Sequence, residues 1–555
     1  MRWQTPLRLP FLLLVEVYHF AYAVRIPVQA HIPSRIHSRA DTNATAGITI
    51  RNVNNVEYLG NITLNDTPAT VILDTGSSDL WVAANIPNTS NLGKSISLSY
   101  AIGTAQGNVH SATLGFDGFT VEKQAFLLVE DASTFSGDLS KTAYQGVLGL
   151  GPNTGSVIYR KLDADDNSGD APTFRIFEEK QTKQNYITVL LNRLHDPGNT
   201  ITGQFAIAEL APGFENITSQ PKLVIKDVPT LTDADQHWAV LTDEWGVIGP
   251  DGEAIKIESI VPRVPDEKLV AVVDSGFTFS QVPRDMTDAI YGRVQGAVYD
   301  AESELWQIPC DQELNITFKF GGVSFPVHPL DTSSSDFNVK DSTGNTVCIG
   351  TFQPITTAFS LLGEYDIILG MSFLRNAYTL IDFGNFVENG NDDQDPYIQF
   401  LPLTDPATAH RDFVTVRLNG VDTTSSPSKT LLPASQESHS PESAAEKKAH
   451  REGAILRQWP YILLACLVFF FGGLGFCLWT CCKRRRRAHA AKATLHSQRE
   501  NGPYQNIQDN PSTATVHMRN LGTKDRESAY ILPHDNTSIQ SLPYHHDPRS
   551  SQALA

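Results

Sequence analysis

Two aspartates, Asp74 and Asp274, occur in similar local sequences in the two halves of this 555-residue chain. Each follows a short apolar run and precedes a hydroxyl residue and a glycine. Two carboxylates held a few ångströms apart cannot both ionise easily, so one keeps a proton near working pH. The ionised one can take a proton from water while the neutral one polarises a carbonyl group. The pair therefore predicts general acid–base hydrolysis, whereas a single Asp-Thr-Gly triplet would more often mark a turn.

The residues beside the aspartates suit this chemistry. Gly76 and Gly276 allow backbone N–H groups to approach the carboxylates. The hydroxyls of Thr75 and Ser275 can brace the pair across a junction between two lobes. Ser77 adds a further hydrogen-bond donor on one side.

The surroundings of the aspartates form a weak two-fold repeat, which predicts two related β lobes. Val71–Ser77 corresponds to Val270–Gly276, and an apolar pair with a glycine follows each copy, at Val147–Gly149 and Ile368–Gly370. Residues 46–404 are dense in short apolar runs separated by Gly, Pro, Asn and Asp, which favours a mostly β protein. The clearest expected strands are Gly47–Ile50, Ala125–Val129, Tyr186–Leu191 and Ile316–Phe320, and the expected helices are Thr173–Gln184 and Met286–Val298.

The segment Asp74–Trp81 resembles the first active-site motif of pepsin-like aspartic proteases. The sparse cysteines, the polar stalk and the basic tail described below resemble those of the membrane-anchored type of fungi. Tyr100, followed by Gly103 and Thr104, is similar to the flap hairpin that closes over substrate in that family. The resemblance implies that Trp81 hydrogen-bonds Tyr100.

The resemblance extends over residues 46–404, with Gly146–Gly151 and Asp366–Phe383 similar to the later parts of the two lobes. It implies a bilobed pepsin-like fold with a catalytic cleft between an N-terminal lobe, 46–225, and a C-terminal lobe, 226–404. It also implies an aspartic endopeptidase that cuts polypeptide substrates as a monomeric catalytic unit. Such an enzyme uses neither a metal nor a cofactor, and it forms no covalent intermediate.

The second motif departs from the family at Phe277, where members often carry Thr or Ser. The first motif keeps its hydroxyl, at Ser77. A hydrogen bond donated to a carboxylate favours the ionised form, and an apolar ring disfavours it. We therefore expect a less acidic pH optimum than in members with a hydroxyl at both positions.

Cys310 and Cys348 are the two cysteines of the large acidic part of the chain, and they permit one disulfide there. They fall where the resembling family has a disulfide in its C-terminal lobe. The other four cysteines lie in or beside one apolar run near the C-terminus.

The ends of the chain predict entry into the secretory pathway and attachment to a membrane. Residues 1–23 are typical of a signal peptide, and 24–45 of a short pro-segment or tether. Residues 461–482 carry no charge and would span about 33 Å as a helix, enough to cross a bilayer. The five cations after residue 482 predict that this end faces the cytoplasm. We therefore expect a single-pass type I protein of the plasma membrane or of a vacuolar or endosomal membrane.

Two polar segments flank the apolar run. Residues 405–458 are rich in Ser, Thr and Pro and predict an extended stalk. Residues 483–555 predict a basic and then disordered cytoplasmic tail. The formal net charge of −18 argues against nucleic acid as a partner. The N-glycosylation candidates before the apolar run are Asn43, Asn61, Asn65, Asn88, Asn216 and Asn315.

Two other functions are compatible with parts of the sequence. A catalytically inactive receptor or adhesin on a protease-like scaffold would also carry a stalk, sequons and an anchor, but it has no need for both Asp74 and Asp274. A glycosidase also uses paired carboxylates, but it does not explain two Asp-hydroxyl-Gly copies and a flap tyrosine.

Overall fold

Short runs rich in β-branched and aromatic residues form strands along most of the chain, as the sequence predicts. The structure is a computed structural model that describes residues 48–100, 103–131, 142–162, 167–180, 184–194, 196–197, 201–226, 236–341, 344–355, 364–387, 394–442 and 444–500. The expected signal peptide and pro-segment lie outside these residues, as does the tail beyond residue 500.

Among the described residues, strands outnumber helices in both halves of the chain. The strands of the first half are β1 (Ile48–Thr49), β2 (Arg51–Val53), β3 (Glu57–Leu64), β4 (Thr67–Asp74), β5 (Leu80–Val82), β6 (Ser90–Tyr100), β7 (Gly103–Phe116), β8 (Phe119–Asp131), β9 (Gly146–Gly149), β10 (Tyr186–Leu190) and β11 (Gln204–Ile207). The strands of the second half are β12 (Leu223–Val224), β13 (Ala239–Leu241), β14 (Val247–Ile248), β15 (Val270–Val273), β16 (Ser280–Val282), β17 (Val298–Asp300), β18 (Leu305–Ile308), β19 (Ile316–Phe320), β20 (Val323–Val327), β21 (Ser333–Ser334), β22 (Cys348–Gly350), β23 (Phe352–Pro354), β24 (Ile367–Leu369), β25 (Ala377–Asp382) and β26 (Tyr397–Pro402). The α-helices are α1 (Val157–Lys161), α2 (Pro172–Lys180), α3 (Arg284–Tyr291), α4 (Met371–Leu374), α5 (Pro406–Arg417) and α6 (Ala444–Glu500).

Each lobe is organised around a parallel pair of strands that are buried at every paired position. In the first lobe β4 pairs parallel with β9, within an eight-stranded sheet ordered β2-β3-β4-β9-β5-β8-β7-β6. In the second lobe β15 pairs parallel with β24, within a five-stranded sheet ordered β13-β15-β24-β16-β23. Continuous apolar runs are typical of strands covered on both faces. The two-fold repeat predicted from the sequence is thus a repeat of structure, and the mostly β, pepsin-like fold is confirmed.

A six-stranded antiparallel sheet joins the two lobes. Its order is β1-β11-β10-β25-β26-β12, so it contains strands from both halves of the chain. The main hydrophobic core contains residues of both lobes, and at the junction the ring of Phe174 lies 5.2 Å from that of Phe383. The indole N–H of Trp238 donates to the carbonyl of Leu150 at 2.9 Å. These contacts fix the lobes relative to each other.

The predicted strands and helices are present. β19 has the expected bounds, and helix α2 covers Pro172–Lys180 at the edge of a described segment. Helix α3 ends at Tyr291, where Gly292, a residue of low helix propensity, follows, and Val298 instead begins strand β17.

Residues 405–440 differ from the predicted extended stalk, and we call them the strap. Helix α5 begins after Asp405, which caps it by accepting the N–H of Thr408 at 2.9 Å. The helix buries Phe413 completely in the second lobe. Farther on, the backbone N–H of Ser440 donates to Asp288 at 3.0 Å. Composition indicated an exposed segment, but one buried phenylalanine and these hydrogen bonds hold the strap on the protein surface.

The apolar segment near the C-terminus forms part of helix α6. Residues Tyr461–Ala490 are long and apolar enough to cross a membrane, and nearly all of their side chains are exposed in the structure. The helix continues to Glu500, so residues 488–500 are helical where the sequence predicted disorder. Residues 488–500 have no Gly or Pro and include four alanines, the residue that most favours a helix, which accounts for this difference.

Candidate active site

Asp74 is the last residue of β4, and Asp274 directly follows β15. The backbone carbonyl of Asp74 accepts the N–H of Leu150 at 2.8 Å, and the N–H of Asp274 donates to Leu369 at 3.1 Å. Leu150 directly follows β9, which pairs in parallel with β4, and Leu369 ends β24, which pairs in parallel with β15. Each lobe therefore fixes the backbone of its aspartate in a similar way.

Two hydroxyls brace the lobes to each other directly beneath the carboxylates. Thr75 Oγ1 donates to the carbonyl of Val273 at 2.9 Å and accepts the N–H of Ser275 at 2.9 Å. Ser275 Oγ makes the matching pair, donating to Leu73 at 2.7 Å and accepting the N–H of Thr75 at 3.1 Å. All these groups are buried, so the brace fixes one backbone relative to the other in a setting where water does not compete.

The carboxylates receive hydrogen bonds from the residues that follow them. Asp74 Oδ1 accepts the N–H of Gly76 at 2.9 Å, and its Oδ2 accepts the hydroxyl of Ser77 at 2.5 Å. Asp274 Oδ1 accepts the N–H of Gly276 at 2.8 Å. Both aspartates are nearly buried, at 8% and 7% exposure.

Each carboxylate lies against the glycine of the other lobe. A Cβ added at Gly76 would lie 2.0 Å from Oδ2 of Asp274, and one at Gly276 would lie 2.4 Å from Oδ1 of Asp74. No side chain fits at either position. The glycines therefore allow the two carboxylates to approach across the junction.

The surroundings of Asp274 disfavour its charged form. Burial raises the pKa of Asp274 well above its usual value, and the neighbouring charge of Asp74 raises it further. Backbone hydrogen bonds from Gly276 and Phe277 oppose this rise in the pKa without cancelling it. Burial and the neighbouring carboxylate thus both disfavour the charged form of Asp274.

The two carboxylates also differ in their hydroxyl donors. Ser77 donates to Asp74, but Phe277 has no side-chain donor for Asp274. The neighbouring hydroxyl of Thr278 does not replace one, because it donates to the carbonyl of Val56 at 2.8 Å. The sequence left open whether Thr278 supplies a donor to Asp274. In the structure its hydroxyl donates to a carbonyl of the other lobe instead.

Tyr100 ends β6 and pairs with Gly103 at the start of β7, so the two strands form a hairpin in which Thr104 faces Ser99. The Tyr100 ring lies 6.1 Å from that of Trp81, centroid to centroid. The hairpin thus brings Tyr100 to the strand that follows the first aspartate motif.

The Tyr100 hydroxyl lies among acidic groups. Burial raises the pKa of Tyr100 well above its usual value, and the charges of Asp79 and Asp74 raise it further. Hydrogen bonds with Trp81 and Ser77 oppose this rise in the pKa. The hydroxyl therefore stays neutral and can serve as a hydrogen-bond donor.

A buried ion cluster beside the site was not found by sequence reasoning. Asp331 accepts Nε of Arg375 at 2.6 Å and Nε of Arg193 at 2.9 Å. Arg375 also donates to the carbonyl of Asn55 at 3.1 Å, so the cluster links the two lobes. Arg375 lies in a segment that resembles the protease family, but nothing in the local sequence of Asp331 identifies it as the partner.

The disulfide between Cys310 and Cys348 is present, and that prediction is confirmed. It connects the start of β22 to the turn after β18, within the second lobe. The cysteines of helix α6 are free and exposed.

One group of side chains has the composition of a metal site, namely Asp196, His328 and Asp412. The tautomer of His328 argues against that role. Its Nδ1 accepts the N–H of Leu330 at 3.1 Å, so Nε2, the nitrogen facing the acids, carries the hydrogen of the neutral ring. A nitrogen that carries a hydrogen cannot ligate a metal, so this group does not fit a metal site. The Nε2 atom lies 3.7 Å from Oδ2 of Asp412 and has no hydrogen-bond partner among the described residues.

The sequons fall into different environments. Asn61, Asn88, Asn216 and Asn315 are not buried, and Asn43 lies outside the described residues. Asn65 is half-buried, and its side chain is committed to three backbone groups. Its Nδ2 donates to the carbonyls at residues 87 and 88, and its Oδ1 accepts the N–H at residue 113.

Comparison with known proteins agrees with this geometry. Residues 87–387, more than half of the chain, match the family described as eukaryotic aspartyl protease. That match includes Asp274 and begins after Asp74. The chain is 24% identical over 366 residues to major aspartyl peptidase 1 of Cryptococcus neoformans, covering 60% of this chain and 68% of the relative.

Two further relatives are also fungal. Aspergillopepsin-1 of Aspergillus oryzae is 24% identical over 375 residues, covering 63% of this chain and 80% of the relative. Secreted aspartic protease 8 of Candida albicans is 27% identical over 363 residues, covering 60% of this chain and 74% of the relative. From the family match and the paired lobes, the chain belongs to the eukaryotic aspartyl protease family and is an aspartic-type endopeptidase.

Proposed function

We propose that the chain hydrolyses polypeptides with Asp74 as the general base and Asp274 as the proton donor. The observation that carries the proposal of a carboxylate pair is the approach of each carboxylate to the glycine of the opposite lobe. The raised pKa of Asp274 supports its role as the protonated member. The hydrogen bonds from Gly76 and Ser77 support Asp74 as the ionised member.

The proposed reaction proceeds in two steps. Asp74 takes a proton from water as the water oxygen adds to the peptide carbonyl carbon, and Asp274 gives its proton to the carbonyl oxygen. In the second step the C–N bond breaks. Asp74 gives its proton to the leaving nitrogen, while Asp274 recovers a proton from a hydroxyl of the tetrahedral intermediate. The dyad returns to its starting state with one proton.

The hairpin that carries Tyr100 is proposed as a flap over the cleft. The neutral hydroxyl of Tyr100 can donate to the substrate or to the groups around Asp74. Closure over the cleft would exclude water and strengthen these electrostatic interactions. We also propose that Gly103 and Thr104 contact the substrate backbone from this hairpin.

The protein is proposed to act from a membrane through one crossing, at residues 461–482. The cations Lys483 and Arg484–Arg487 would lie on the cytoplasmic side, leaving the two lobes lumenal or extracellular. Reporter fusions at each side of the crossing test this orientation. Glycosylation of a reporter placed after residue 500 would reverse the assignment.

The test of the chemistry uses the full-length chain in detergent with a peptide substrate. Asp74→Ala and Asp274→Ala should each abolish cleavage with the unfolding temperature retained. The double variant should lose no more activity than either single variant, since the dyad acts as a unit. Asp266→Ala, an exposed carboxylate, is the matched control. Substantial activity in either dyad variant would refute the mechanism.

A further inference from the structure

A cavity of about 170 Å³ lies beside the loop that follows Asp274 and is lined by three arginines, Arg193, Arg375 and Arg417. Two acids, Asp331 and Asp336, also contribute to its wall. One water needs about 10–15 Å³ of such space, so the cavity has room for roughly ten times that volume. It can therefore accept a side chain or a small organic molecule.

Two of the three guanidiniums are already neutralised within the protein. Asp331 is fully buried and bridges them, accepting from Arg193 and from Arg375. Arg193 also bonds Asp196 at 2.7 Å. These two arginines belong to the buried cluster that links the lobes, and they have little capacity left for a ligand.

The guanidinium of Arg417, at the end of helix α5, is bound differently. Its Nη1 contacts the sulfur of Cys348 at 2.8 Å, and its Nη2 donates to the carbonyl of Ser333 at 3.0 Å. Neither partner carries a charge. Its Nε–H is buried and has no hydrogen-bond partner among the described residues.

The charge on Arg417 is therefore poorly compensated. Burial lowers its pKa, and the acids that oppose this, Asp336 and Asp331, form no ion pair with it within 4.0 Å in the described part of the chain. A buried guanidinium needs an anion because desolvation of its charge is otherwise unfavourable. The planar N–H groups of arginine suit a carboxylate in particular.

The cavity lies next to a hydrogen bond that joins the two lobes. Phe279 and Asn55 line it, and each is adjacent in sequence to a member of the contact between Thr278 and Val56. That contact joins the lobes four residues after Asp274.

We propose that this cavity is a carboxylate-binding pocket in which Arg417 supplies the charged contact. The carboxylate comes from an acidic side chain of the polypeptide substrate or from a free organic acid. The first source rests on the proposed peptidase function, and the second does not.

The first arm of the test measures binding without turnover. Full-length Asp74→Ala protein in detergent is melted in sodium succinate and in sodium chloride of equal ionic strength. Succinate should raise the unfolding temperature, and Arg417→Gln in the same background should remove that rise. Arg411→Gln, an exposed arginine of the same helix, is the control that should keep it. Asp336→Asn should enlarge the rise by removing a nearby negative charge.

The second arm measures specificity in the active enzyme. Paired peptides carry Glu or Gln at one position at a time on either side of the cleaved bond. Glu should be preferred at one position by about ten-fold in kcat/KM, equivalent to about 1.4 kcal/mol, and Arg417→Gln should abolish the preference. A succinate effect without a Glu preference would assign the pocket to a free acid.

Two results would overturn the proposal. One is a succinate effect that persists in Arg417→Gln, and the other is the absence of both effects. Failure of peptide cleavage in every form would instead refute the proposed function and leave the first arm decisive for the pocket.

Discussion

The close approach of Gly76 to the opposite carboxylate allows a sharp test by adding one methyl group. A Cβ at position 76 would lie 2.0 Å from Oδ2 and 2.2 Å from Cγ of Asp274, whereas ordinary contact begins near 3.4 Å. One of the two groups must therefore move by about 1.4 Å. Asp274 is held by the N–H of Gly276, so the movement separates the dyad. Since a displacement of about 1 Å can cost about 100-fold in rate, Gly76→Ala should lose at least that much kcat/KM.

The assay compares kcat/KM and unfolding temperature for wild type, Gly76→Ala and a matched control. Gly249→Ala is that control, because its new Cβ meets the side chain of Ile255 at 3.3 Å and lies away from the dyad. The control should keep nearly full activity. A Gly76→Ala enzyme that unfolds normally and stays within ten-fold of wild type would show that the glycine contact does not position the dyad.

Three other predictions test the site, the strap and the surface. Phe277→Thr should add a donor to Asp274, favour its ionised form and move the alkaline limb of the kcat/KM profile to lower pH, and an unmoved limb would contradict this. A truncated chain that ends at residue 404 should be less stable than one ending at residue 442 by at least about 3 kcal/mol in urea unfolding, because it lacks the buried Phe413. Equal stability of the two forms would mean that the strap is not part of the folded lobe. Glycopeptide mass spectrometry should find Asn65 unmodified, since its amide is engaged, while Asn315 remains accessible.

The strap shows how composition can mislead. Its Ser, Thr and Pro content is that of exposed linkers, and no local pattern in it indicates attachment to the lobe. That attachment depends on a few residues, such as Phe413 and Ser440, whose partners are distant in sequence. A sparse set of long-range contacts leaves no periodic pattern that could have predicted it.

The sequence alone determined the β class, the two-fold repeat and the two aspartates, because each is a local pattern. An apolar run that ends in Asp, a hydroxyl residue and Gly carries its information within about seven residues. The disulfide could also be predicted from the sequence, since the large acidic part of the chain has one pair of cysteines.

The tertiary structure decided which groups support the dyad and how its two members differ. The brace between Thr75 and Ser275 joins residues 200 positions apart. Thr278 could have faced Asp274, but the approach of Val56 from the other lobe redirects its hydroxyl. The pKa of Asp274 likewise depends on burial and on a charge from the other lobe. Hydrogen bonds and Coulomb interactions act over a few ångströms of space whatever the separation along the chain, so only the folded lobes could determine them.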